Sequence, residues 1–463
     1  VQKISNATKS ISCLVYLDLR WLNKLRSFIE MIKRASLSGN FSSFPMDSSS
    51  SGTFPDAIDP ANLQATQALH IAWAGMAALA VAMGIGRFAF TPLLPMMLHD
   101  GVLDIAAGSW LATANYFGYL VGALLFMSLP WLGRRLGPMP GHALLVRSGL
   151  VATVLLTAGL VLPWPLLWPT LRFGAGVASA LVFLGTTNWC MGRLMELGKP
   201  ALGGLIFCGP GLGIVLTGLS ASAMVAAGWT AAFGWAVFAV LAVVISAGVW
   251  RSFQHRAGAA AAPTAAAQAV AAPGPWVQRS LLALAYGLAG FGYIITATFL
   301  PVIARAALPQ GSVWPDLFWP IFGAGVALGA LLSTRISAAR DRRVLLALAY
   351  LIQACAIALG MIWPGRIGFA LGSLLLGLPF TAITFFALFE ARRQWPAAGA
   401  SFTGLLTALY GIGQISGPPL VAWLLTQAAT PAQGFNLALG LAAIGLVLGA
   451  GVYGVMRWRW ADY

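Results

Sequence analysis

The chain has 463 residues, of which 59% are hydrophobic and only 8% charged. A soluble domain carries about 25% charged residues and disorder requires low hydrophobicity, so both classes are excluded and a polytopic helical membrane protein is expected. Lys and Arg number 27 against 12 Asp and Glu. In this composition the excess reads as loops beside anionic lipid, and nucleic acid is excluded as a partner.

Residues 1–66 differ from the rest. Lys3, Lys9, Lys24 and Lys33 crowd the start, and Ser is dense from Ser36 to Ser51. Apolar residues from Ile11 to Ile32 follow helical spacing with basic residues between, the pattern of an interfacial helix. The stretch lacks the long apolar core and small-residue cleavage site of a secretory signal. A basic, Ser-rich targeting segment is one alternative. The favoured reading takes Met46 as the true start and residues 1–45 as upstream sequence, which N-terminal sequencing of the native protein tests.

A helix crosses a bilayer with about 20 apolar residues. Twelve stretches qualify: 68–98, 109–130, 142–162, 170–192, 201–226, 229–250, 280–304, 316–334, 343–363, 367–389, 398–426 and 432–456. The first is long enough to need tilt or a break, which Pro92 and Pro95 would supply. Fifteen basic residues fall in the even-numbered connections and the C-terminal tail, and two, Arg305 and Arg366, in the odd-numbered ones. That bias predicts that both termini are cytoplasmic. Residues 251–279, rich in Ala and Pro, read as a cytoplasmic linker that separates a six-helix bundle at 67–250 from a second at 280–463.

The two sets repeat each other. Gly84-Ile85-Gly86-Arg87 with Leu94-Pro95 matches Gly290-Phe291-Gly292-Tyr293 with Leu300-Pro301, offset by 206. Gly122 to Leu125 matches Gly329 to Leu332, and Arg172-Phe173-Gly174 matches Arg366-Ile367-Gly368. Gly204, Gly211 and Gly213 match Gly404, Gly411 and Gly413. Six spans is an even number, so the copies keep one orientation, as in a two-lobed secondary transporter with its site between the lobes.

Across about 67–460 this pattern resembles the major facilitator superfamily. The run from Gly84 to Met97 and the run from Tyr410 to Pro418 resemble its YbfB/YjiJ-type branch of bacterial permeases. The resemblance implies an all-α fold of twelve transmembrane helices in two pseudo-symmetric six-helix bundles. It also implies a monomer in the bacterial inner membrane and alternating access driven by protons. Arg172 to Ala180 resembles the superfamily's span-four Arg-x-x-x-Gly pattern, and Gly209 to Gly213 its span-five Gly-Pro pattern of exporters. Arg172, Gly209, Pro210 and Asp341 are therefore the gating and coupling candidates, and export is the favoured direction. One feature departs from the pattern: the loop at Gly133-Arg134-Arg135 has no acid, and only Asp341 in the matching loop keeps one.

An ionisable group inside a span costs roughly 2.5–3.5 kcal/mol on insertion scales. Arg87 carries such a cost, in the outer half of span one. Its functional reading is a fixed positive charge that attracts an anionic or amphipathic organic solute. Its structural reading is an arginine that caps carbonyls freed at the proline break. Asn115, Tyr119, Asn188, Tyr293, Thr384, Tyr410 and Gln414 are further substrate-binding candidates, and each could equally bond a neighbouring helix. The carboxylates fall in loops or at span ends, and Glu390 beside Arg392 and Arg393 reads as a cytoplasmic ion pair. His70, His99, His142 and His255 show no metal-ligand spacing, the four cysteines form no CxxC, and no Walker motif is present. An enzyme, a metal site and a cofactor are therefore not expected. A non-transporting solute sensor and an uptake permease are the alternatives to an exporter.

Overall fold

The computed structural model describes residues 60–137, 139–254, 276–336, 340–395 and 399–460. Among them there is no strand. Eleven helices are long and apolar enough to cross a membrane. They are α1 (Leu63–His99), α2 (Ile105–Leu136), α3 (His142–Gly159), α4 (Trp168–Glu196), α5 (Pro200–Ala226), α6 (Ala231–Val249), α7 (Trp276–Ala307), α8 (Trp314–Ser333), α9 (Arg342–Ile362), α10 (Arg366–Ala391) and α12 (Pro431–Arg459). A further 29-residue helix, α11 (Gly399–Gln427), precedes α12. Each lies on one of the twelve apolar stretches of the sequence. The helix that opens α1 is continuous from Pro60, so it takes in 60–66, and α7 takes in Trp276 to Arg279 of the stretch read as linker. Met46, the basic stretch before it and the centre of the linker lie outside the described residues.

Local chemistry fixes the helix ends. The Asp104 carboxylate accepts from Ala107 N at 2.7 Å to cap α2, and Thr230 and Thr430 cap α6 and α12 in the same way. Arg147 on α3 donates to Trp250 O at the end of α6, at 2.9 Å from Nη2. Arg343 on α9 donates to Met456 O and Trp460 O at the end of α12, at 3.0 and 2.7 Å. Each donates to carbonyls at a helix C-terminus, where intrahelical donors run out. The outward faces stay apolar: α6 exposes Phe233, Val240, Val243 and Val244, the surface that lipid requires.

The first helix is not regular. It is α-helical to Leu79, π-helical over Ala80–Phe88, and α-helical again over Phe90–His99. The irregular stretch therefore lies just before the prolines named as its cause. Pro92 has no N–H, and in the wider π register the carbonyl that looks to it is that of Arg87. In the second set α7 runs without interruption over Trp276–Ala307. Its Pro301 matches Pro95, but Thr298 stands where Pro92 stands in the first set, and Thr298 keeps its N–H.

Glycines let the backbones cross. A Cβ at Gly84 or Gly213 would collide with the facing backbone, which brings α1 and α5 into direct contact. Gly290 and Gly413 do the same for α7 and α11. Adding one methyl at such a crossing forces the helices apart and costs about 1–3 kcal/mol. Gly213→Ala is thus expected to lower the melting temperature of the purified protein, and an unchanged value would remove this crossing as a close contact.

Among the described residues, three hydrogen bonds from nitrogen or oxygen donors join the first six helices to the last six. Thr91 Oγ1 donates to Ala297 O at 2.8 Å, the Tyr116 hydroxyl and Thr298 Oγ1 lie 2.8 Å apart, and Arg87 Nη2 donates to Gln414 Oε1 at 2.7 Å. All three lie toward the end of α1 that holds His99, here termed the far end. Nearer the opposite end, Cys208 Sγ on α5 approaches Ala327 O on α8 at 3.6 Å.

Candidate functional site

Arg87 sits at the centre of this junction and is 2% exposed. Its placement follows from the π segment, which ends one residue later. The guanidinium lies 4.0 Å from the ring centroid of Tyr119, 5.1 Å from that of Tyr116 and 5.5 Å from that of Phe88. Such contacts return about 0.5–2 kcal/mol each to a desolvated cation. Among the described residues Arg87 has no ion-pair partner, and Nε and Nη1 have no hydrogen-bond partner. Only Nη2 is engaged, and by a neutral amide. A buried cation without a counter-charge is costly, which makes this place ready for an anion.

The Gln414 side chain spans the site. Its oxygen accepts from Arg87, and its nitrogen donates to the Tyr293 hydroxyl. Tyr293 packs edge-on to Phe380 with centroids 4.8 Å apart and lies 6.1 Å from Tyr410. Tyr410 in turn stacks on Tyr286 at 4.7 Å, and Tyr286 donates to Thr384 Oγ1 at 3.3 Å. Phe88 faces Trp319 of α8 at 6.0 Å. The result is one cation at a wall of aromatic rings drawn from both sets of helices. Arg87, Tyr293 and Gln414 are buried, whereas Tyr119, Thr384 and Tyr410 are half-buried. These three stand one or two helical turns from the Arg87 layer, away from the far end.

Six of the eight substrate-binding candidates therefore meet: Arg87, Tyr119, Tyr293, Thr384, Tyr410 and Gln414. Asn115 is adjacent but turned to backbone, with Nδ2 donating to Arg172 O at 2.9 Å and to Gly86 O at 3.4 Å. Asn188 is exposed and bonds its own helix at Leu184 O, 2.8 Å away. Arg172 is level with Arg87, and Asn188 lies further down the same helix by about 24 Å at 1.5 Å per residue. Asn188→Ala is accordingly expected to leave solute flux in reconstituted vesicles unchanged. A loss of flux would extend the site to that end of α4.

The capping arginine is Arg172 rather than Arg87. It is 1% exposed. Its Nη1 donates to Gly86 O at 3.3 Å, its Nη2 to Arg87 O at 3.2 Å, and its plane lies 4.8 Å from the centroid of Phe90. Ser179 Oγ lies 2.7 Å from Ala82 O in the same segment. The carbonyls that the π turn and Pro92 release are thus met from α4. Gly209 and Pro210 begin the longer segment of α5, after a break at Phe207–Cys208, with Gly209 against the α1 backbone at Met76. Asp341 caps α9 by accepting from Arg343 N at 2.9 Å and lies 3.9 Å from Arg457 Nε. Glu390 is 0% exposed, with Arg393 at 3.2 Å and Arg343 at 3.4 Å. Arg343, from another helix, is a partner that the local sequence did not indicate.

Tyr286, Phe380 and Trp319 were not singled out from sequence. Tyr286 had a signal, since it precedes Tyr293 by two helical turns on one face of α7. Phe380 and Trp319 had none, because an aromatic residue in an apolar span reads equally as core or lipid contact.

A family model described as "Uncharacterised MFS-type transporter YbfB" matches residues 79–453. Two solved structures share the fold. Nucleoside transporter NupG superposes with a TM-score of 0.59 at 13% identity, over 86% of this chain and 99% of that one. A point mutant of NupG gives 0.62 at 13% identity, over 84% and 99%. No curated protein matches the chain.

Proposed function

The chain belongs to the YbfB-like branch of MFS-type transporters, and from that membership we propose that it moves a small anionic organic solute by alternating access. It is a multi-pass membrane protein and a transporter rather than an enzyme. The observation that carries the proposal is Arg87. It is a buried cation without a counter-charge among the described residues, held where the first six helices meet the last six.

The architecture supports this reading. The paired crossings at Gly84/Gly213 and Gly290/Gly413, and the matched end caps from Arg147 and Arg343, argue for two pseudo-symmetric lobes of six helices. The basic residues of the even-numbered connections assign the end opposite His99 to the cytoplasm. Thr91, Tyr116 and Arg87 then close the outer side, while the half-buried Tyr119, Thr384 and Tyr410 lie on the cytoplasmic side of the Arg87 layer. The broken α5 at Gly209-Pro210 favours export. Protons are the coupling ion in this reading.

The test is flux in vesicles reconstituted with the purified protein. A panel of organic anions and their neutral analogues is offered with and without an imposed proton gradient. Accumulation of an anion but not its analogue, increased by the gradient, is expected. Binding of a solute without movement would make the protein a sensor instead.

A further inference from the structure

We propose that the Arg87 site takes an aromatic monocarboxylate. The acid sits on Arg87 in place of the Gln414 amide oxygen, and the ring lies among Tyr119, Tyr293, Phe380 and Tyr410. The inference rests on the transport reading and narrows its substrate class.

Charge fixes one end of the ligand. Two of the three guanidinium nitrogens are without partners, and the third donates to a neutral amide oxygen. A carboxylate accepts a charge-assisted bond about twice as strong as a neutral acceptor does, and it can take two such bonds from one guanidinium. Gln414 is therefore a placeholder that a carboxylate displaces. Among the described residues the other arginine at this level, Arg172, directs Nη1 and Nη2 to the carbonyls of Gly86 and Arg87. One available cation suits one negative charge.

The opposite end is fixed by what surrounds Arg87. Among the described residues no carboxylate ion-pairs with it, and the fully buried Glu390 is already paired with Arg343 and Arg393. An ammonium group on the ligand would have no partner, which argues against an amino acid. The hydroxyls of Tyr116, Tyr286 and Tyr293 are each already paired with Thr298, Thr384 and Gln414. Those three hydroxyls are not free for a polyhydroxylated body. What remains is ring surface: Tyr119 lies 4.0 Å from the guanidinium, and Tyr293 beyond Gln414 is packed on Phe380 and Tyr410. Aromatic faces and edges favour a further ring in offset or edge-on geometry, so a flat unsaturated body fits better than a saturated one.

The experiment measures binding by the purified full-length protein. Three probes are compared by ligand-dependent thermal shift: benzoate, its neutral amide benzamide, and the saturated acid cyclohexanecarboxylate. Benzoate is expected to bind about tenfold or more tightly than either of the others, a difference of at least about 1.4 kcal/mol. Gln414→Glu, which supplies an internal carboxylate to Arg87, is expected to weaken benzoate about tenfold, and Gln414→Ala to strengthen it. Equal shifts with benzoate and benzamide would overturn the role of charge, and equal shifts with the two acids would overturn the role of the ring. A wild-type protein that ignores benzoate yet carries another solute in vesicles overturns the substrate class and leaves transport standing. A protein that binds benzoate tightly but moves nothing supports the class and overturns transport.

Discussion

Arg87→Ala is expected to abolish solute flux while the folded yield and melting temperature stay equal to or above those of the wild-type protein. The two halves of this expectation share one cause. Burying a guanidinium costs several kcal/mol unless a counter-charge meets it. Here the return comes from one amide oxygen and three ring faces. Removing the side chain therefore removes an uncompensated cost along with those contacts. A group retained at a net cost in stability is characteristic of a functional site. Flux in vesicles and thermal unfolding of the same preparation check both halves. Normal flux would remove Arg87 from the site, and a large fall in melting temperature would make it a structural residue.

Arg172→Ala is expected to behave in the opposite sense. Its guanidinium meets the carbonyls of Gly86 and Arg87, which the π segment and Pro92 leave without backbone donors. Gly86 O keeps Asn115 at 3.4 Å, but Arg87 O loses its side-chain donor. An unpaired buried carbonyl costs about 1–3 kcal/mol in a protein interior and several kcal/mol in hydrocarbon. The expected result is a strong fall in folded yield and in melting temperature, with flux lost in proportion to the protein that remains. Arg172→Lys should recover part of the stability, since it restores one charged donor but not the planar fork. If Arg172→Ala were as stable as the wild type, the segment would be satisfied in some other way, and the coupling role suggested by the family resemblance would become the better account.

The helices were legible because each is a predominantly apolar stretch of about 20 residues, a length that the bilayer imposes. The glycines that suggested a repeat stood out because helix crossings tolerate only small residues. Gly84, Gly213, Gly290 and Gly413 could not drift without driving backbones apart. The polar junction was partly legible for the same reason that it is rare: Arg87, Gln414 and Tyr293 stand out in a span because each must be met by something. What could not be read is partnership across the chain. Nothing near Arg172 in sequence indicates that it meets carbonyls of α1, and nothing near Arg343 indicates Glu390 or the end of α12. The π segment was also hidden. The prolines signalled an irregularity, but the register of the turns before them depends on donors from α2 and α4. Asn188 shows the converse limit, since a polar residue on the right helix can still lie several turns from the chemistry.

The far-end junction has a consequence for how often the protein changes shape. Its hydrogen bonds, among the described residues, are those from Thr91, Tyr116 and Arg87, none of which joins opposite charges. At about 0.5–1.5 kcal/mol net for a neutral hydrogen bond and about 1.5–3 for a charged one, these bonds hold roughly 2.5–6 kcal/mol. In the alternating-access reading that weights one conformer over the other by a factor on the order of 10²–10⁴, a margin that one well-placed solute can offset. A seam of buried ion pairs would have held the molecule in one pose.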